Sequence, residues 1–114
     1  SDPNCGYCKR LESDLQKLKN VTIYTFLIPV LGPDSEEKAR NVWCAAEPTK
    51  TWLAWMLDAK KPPKAEGDCK NPLERNSALA RKHRVNGTPA IVFTDNTRVP
   101  GALGADLIEH SPSA

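Results

Sequence analysis

Apolar positions in this chain repeat first at a helical period and then at a strand period. Cys8, Leu11, Leu15 and Leu18 recur at steps of three and four, which predicts a helix over residues 5–19 with Asn4 as its N-cap. Residues 21–28 (VTIYTFLI) place β-branched and aromatic side chains on both alternating sets, as a strand buried on both faces does. Pro29, Gly32 and Pro33 end it. Asp34 with Glu37 makes a capping-box-like start to a second helix, with Ala39, Val42, Trp43 and Ala46 facing inward. Pro48-Thr49 breaks that helix, and Trp52, Leu53, Met56 and Leu57 form another apolar face. Trp43 and Trp52 read as core residues, whereas Trp55 fits a single buried face worst and is expected to be exposed.

Residues 61–70, with two prolines and a glycine, read as a loop. Asn71-Pro72 then opens a helix through Leu73, Leu79 and Ala80 to about Arg84. A second apolar strand follows at 90–94, then a turn at Asp95-Asn96, a short edge strand at 98–99 and a closing helix at 105–110. The link between the first two strands crosses through helices, which predicts that they are parallel; the last two form a hairpin. The fold class is α/β with a mixed sheet.

Composition adds bounds. At 114 residues the chain is one domain, and 39% hydrophobic with 26% charged residues is ordinary for a soluble globular protein. The net charge of +2 comes from 16 basic and 14 acidic residues scattered along the sequence, so no concentrated basic face points to nucleic acid. No apolar run approaches the roughly 20 residues of a membrane helix. No cleavable signal opens the chain, which reads as either cytosolic or already processed.

The four cysteines fall into two unlike pairs. Cys5-Gly6-Tyr7-Cys8 sits where the first helix begins. A sulfur there meets unpaired N–H groups and the positive end of the helix dipole, which favours the thiolate, and the thiolate is the nucleophile. Cys5 is therefore expected to be solvent-open and attacking, and Cys8, one turn on along the apolar stripe, shielded and resolving. A passive disulfide and half of a zinc site are the plainer readings. Zinc would want a second close pair, which Cys44 and Cys69 are not, and His83 and His110 are not spaced as ligands. The wide spacing of Cys44 and Cys69 suits a staple that stabilises by about 3.5 kcal/mol. Such a staple persists in an oxidising compartment; two unrelated free thiols are the alternative. Thr88-Pro89 precedes a strand, and the residues alone leave a trans proline as the plainer reading over cis.

Taken in order, Ser1-Asp2-Pro3-Asn4-Cys5-Gly6-Tyr7-Cys8, Val42-Trp43-Cys44-Ala45, Cys69, Gly87-Thr88-Pro89-Ala90 and Val99-Pro100-Gly101 resemble the catalytic domain of the DsbC/DsbG periplasmic disulfide isomerases. The resemblance covers nearly the whole chain, and the Gly6-Tyr7 dipeptide is more similar to DsbC. It implies a thioredoxin-like fold across residues 1–114 with a helical insertion at about 34–86. It implies Cys5 and Cys8 as the active pair, Cys44–Cys69 as a structural disulfide, and a cis Thr88–Pro89 bond facing the active site, where the Thr88 backbone pairs with substrate. It further implies a periplasmic location, misoxidised exported proteins as substrates and a DsbD-type membrane reductase as electron donor. No cofactor beyond the cysteine pair and no metal is implied. The family's strand before the active-site loop and its N-terminal dimerisation domain have no counterpart in this sequence. The activity expected is thiol:disulfide isomerase or reductase. A thiol oxidase of the same fold, a chaperone-like polypeptide-binding module and a metal-binding module are the rivals.

Overall fold

The computed structural model describes residues 1–101 together with Gly104 and Ile108. Helix α1 spans Gly6–Leu15, and its N-cap is Cys5, not Asn4. The Cys5 sulfur takes the place of the usual capping oxygen and accepts from the Cys8 N–H. Asn4 turns its side chain away and donates to Asp34 and Ser35. The helix ends short of the expected Lys19, because single-turn hydrogen bonds to Asp14 and Leu15 tighten the chain and Asn20 takes a left-handed conformation.

Helix α2 (Pro33–Trp43) starts after Gly32, whose φ of 101° favours a residue without a Cβ, and carries Pro33 in its first turn. Asp34 and Glu36 in that turn complement the helix dipole. Pro48, expected only as a break, also opens helix α3 (Pro48–Asp58). Helix α4 spans Leu73–Lys82; the Asn71 side chain accepts from the Leu73 N–H, and Pro72 is the cap residue.

Helix α3 packs against both α1 and α2. The core is Cys5, Cys8, Leu27, Ala39, Val42, Trp52, Trp55, Met56 and Leu73. Contrary to the sequence reading, Trp55 is buried, its ring flanked by the ammonium groups of Lys9 at 4.7 Å and Lys38 at 5.1 Å. The buried stripe of α3 is Trp52, Trp55 and Met56, one helical face turned toward α1 and α2, so Leu57 is left exposed. Trp43, the last residue of α2, is also exposed, as are Ala46 and Leu79.

The largest departure lies at residues 21–28. They form no strand, and 21–26 are exposed. A strand needs a ladder, and among the described residues the segment is tied near its end: the Ser1 amino group donates to the Phe26 carbonyl, the Ile28 N–H donates to the Ser1 carbonyl, and the Asn76 amide donates to the Leu27 carbonyl. The expected parallel pairing with the second strand is therefore not formed. Among the described residues the sheet is an antiparallel pair, β1 (Ala90–Val92) with β2 (Arg98–Pro100), in the register Ala90 to Pro100 and Ile91 to Val99. The closing helix expected at 105–110 lies outside the described residues except for Ile108, which is helical and buried.

Candidate active site

The first turn of α1 places two sulfurs in unequal settings. The Cys5 sulfur lies 3.2 Å from the Cys8 N–H, which donates to it, and its thiol donates to the Thr88 carbonyl at 3.4 Å. Burial works against ionising Cys5. Hydrogen bonds from the Cys8 thiol, the Thr88 side chain and the Cys8 and Tyr7 backbone outweigh it, and its pKa falls below that of an ordinary cysteine. Cys8 goes the other way: burial raises its pKa, opposed by the Asp2 backbone N–H. Both thiols are unpaired in this structure.

The exposure expected for Cys5 is corrected. Only 6% of the residue is exposed, against 0% for Cys8, because the Thr88–Pro89 turn lies against its sulfur. The Thr88–Pro89 peptide is cis, and Pro89 is buried. Beside the sulfurs, Tyr7 is 63% exposed, with the Arg10 guanidinium 5.6 Å from its ring centroid. Gly6 is exposed too, and a Cβ built on it would meet open space. Thr88 also lines a cavity of about 580 Å³ floored by Ile28, Pro29, Leu73, Ala80 and Val85.

Cys44 and Cys69 form a disulfide with Cα atoms 6.1 Å apart. It joins the end of α2 to the proline-rich loop, whereas the first turn of α2 meets Asn4. The 11 residues between these ends span about 16 Å at 1.5 Å per residue, so the second pair stands apart from the first. Among the described residues no group of three or more His, Cys, Asp or Glu could hold a metal ion, and no helix is long and apolar enough to cross a membrane.

Sequence reasoning missed three residues around the site. Asp2 stood within the quoted motif but carried no role; it is wholly buried. Ser35, also buried, donates to it. Glu12, one turn beyond Cys8, is buried and accepts a 3.0 Å hydrogen bond from the Trp52 indole N–H, and burial raises its pKa. Nothing in the spacing of Glu12 and Trp52 announces their contact. The only available signal was a charged residue inside an apolar stripe.

Residues 1–111 match the model of a thioredoxin-like domain. A probable thiol:disulfide interchange protein DsbC of Bordetella parapertussis is 51% identical over 108 residues, covering 95% of this chain and 38% of that protein. The thiol:disulfide interchange protein DsbC of Escherichia coli is 30% identical over 105 residues, covering 89% of this chain and 43% of its own length. The chain thus spans well under half of these curated relatives. The crystal structure of a disulfide interchange protein from Neisseria gonorrhoeae superposes with a TM-score of 0.88 at 36% identity, covering 96% of this chain and 79% of that one.

Proposed function

Because this chain belongs to the thioredoxin-like domain family, alongside the DsbC disulfide interchange proteins, we propose that it is the catalytic domain of a thiol:disulfide isomerase and reductase. Cys5 is the attacking thiolate and Cys8 the resolving thiol. The observation that carries this reading is the Cys5 sulfur on the N-cap of α1, 3.2 Å from the Cys8 N–H, with an acidity opposite in direction to that of its partner.

In the reduced protein the Cys5 thiolate attacks one sulfur of a substrate disulfide. A mixed disulfide forms and the other substrate sulfur leaves as a thiolate. That thiolate can attack a different disulfide of the substrate, and the thiolate displaced there attacks the mixed disulfide, which returns the Cys5 thiolate and leaves the substrate isomerised with no net electron transfer. Alternatively Cys8 loses its proton and attacks the Cys5 sulfur. The Cys5–Cys8 disulfide then forms, and the substrate departs reduced by two electrons. Burial, which disfavours the Cys8 thiolate, keeps that thiol from competing with Cys5 in the first step. With Cys5 nearly covered, the incoming disulfide has to approach along the open flank of Gly6 and Tyr7 and against the Thr88 backbone.

The same reading assigns misoxidised exported proteins as substrates, the periplasm as compartment and a DsbD-type membrane reductase as electron source. Cys44–Cys69 is then a permanent staple, the helical segment at about 34–86 an insertion in the thioredoxin-like domain, and any dimerisation a property of parts outside residues 1–114. No cofactor beyond the cysteine pair is invoked. Turnover of a scrambled-disulfide substrate in a glutathione buffer tests it. Cys5→Ser is expected to bring the rate down to that of the buffer alone, and a variant that still unscrambles the substrate removes Cys5 from the mechanism.

A further inference from the structure

Asp2 has no exposed surface. A carboxylate withdrawn from water is tolerated only where donors meet its oxygens. Four do. One oxygen accepts from the Val30 N–H at 2.7 Å and the Leu31 N–H at 3.0 Å, and the other from the Asn4 N–H at 2.7 Å and the Ser35 hydroxyl at 2.8 Å. The backbone of the same residue enters the site as well: its carbonyl accepts from the Cys5 N–H at 3.2 Å. One residue thereby joins the turn entering α1, the loop leaving residues 21–28 and the first turn of α2.

We propose that Asp2 is a positioning residue of the thiol–disulfide reaction, whose carboxylate clamps the turn so that the Cys5 sulfur stays on the Cys8 N–H and against Thr88. The proposal rests on Cys5 being the attacking thiol. The sign of the effect separates a clamp from a bare charge. Acting as a negative charge, Asp2 would oppose a second anion at Cys5, and neutralising it would favour the thiolate. Acting as a clamp, its loss lets the cap slacken, the sulfur loses aligned N–H donors and the thiolate is disfavoured. Asparagine has nearly the same shape, but one of its two ends is a donor and would face either the Val30 and Leu31 N–H groups or the Asn4 N–H and Ser35 hydroxyl.

The test is the pH profile of iodoacetamide alkylation at Cys5, located by peptide mass, in the reduced protein at its full natural length. For Asp2→Asn the clamp predicts a midpoint moved upward, with alkylation at pH 6 slowed about tenfold for a midpoint moved by one pH unit, while the rate at pH 10 stays that of the parent. Ser35→Ala, which removes one of the four donors, shifts the profile in the same direction by about twofold at pH 6. An Asp2→Asn protein with native far-UV circular dichroism and an unchanged or lowered midpoint overturns the proposal. Should that variant not fold, Ser35→Ala decides: slower alkylation at pH 6 with the parent rate at pH 10 supports the clamp, and the parent profile overturns it. Failure of the underlying reading looks different, because Cys5 of the parent would itself then react like a free cysteine.

Discussion

Cys5 and Cys8 sit three positions apart on one turn of α1 and are unpaired, whereas Cys44 and Cys69, 25 positions apart, are joined. Spacing in sequence does not set the chemistry of a cysteine pair; surroundings do. Both sulfurs of the first pair are buried, but hydrogen-bond donors outweigh burial at Cys5 and not at Cys8, so the two thiols differ in acidity. The second pair ties a helix end to a loop rich in proline and lysine. Its contribution is to limit the freedom of the unfolded chain.

Four variants probe this contrast. The largest effect is expected for Cys8→Ala, which leaves attack possible but removes the internal resolving thiol. Covalent complexes with substrate should accumulate on non-reducing gels, and net reduction should fall by about a hundredfold or more, since only external thiols then release the product. Replacing both Cys44 and Cys69 by alanine should lower unfolding free energy by about 3 kcal/mol in urea titration, yet leave the alkylation profile of Cys5 in the folded protein unchanged. If that profile moves, the two pairs are coupled and the contrast fails.

Smaller shifts follow at the neighbours of the first pair. Thr88→Val keeps the carbonyl that accepts from the Cys5 thiol but removes the hydroxyl that favours its thiolate, so the alkylation midpoint of Cys5 should rise and its rate at pH 6 fall by about threefold. Glu12→Gln keeps an acceptor for the Trp52 indole while removing a charge that burial disfavours. Because the folded pKa of Glu12 is raised, the parent loses stability as pH climbs from the ordinary carboxyl range to that raised value, and the loss persists above it. The glutamine variant should therefore be more stable at pH 7, by about 1 kcal/mol, with the gain vanishing at pH 4. Thermal melts at the two pH values check this.

What the sequence disclosed was local. Asn71-Pro72 marked the start of α4, and the β1–β2 hairpin followed from its Asp95-Asn96 turn. The helix carrying Cys5 and Cys8 was legible from its apolar stripe. What escaped depended on partners distant in the chain. Residues 21–28 carry strand composition, but composition supplies no ladder; the segment is tied at Ser1 and Asn76 near its end, and residues 21–26 stay exposed. Trp55 looked surplus to a single helical face, yet α1 and α2 together cover a wider one, and the Pro3 carbonyl accepts from its indole. The cover over Cys5 comes from Thr88, 83 positions away, a distance no periodicity spans.

The account rests on the unequal acidity of the two thiols in the first turn of α1, and alkylation of the reduced protein across pH 4–10, followed separately at Cys5 and Cys8, measures it directly. The expected result is a Cys5 midpoint below the value of about 8.5 for a free cysteine and a Cys8 midpoint above it. Equal midpoints, or a Cys8 that reacts at lower pH than Cys5, would contradict the account.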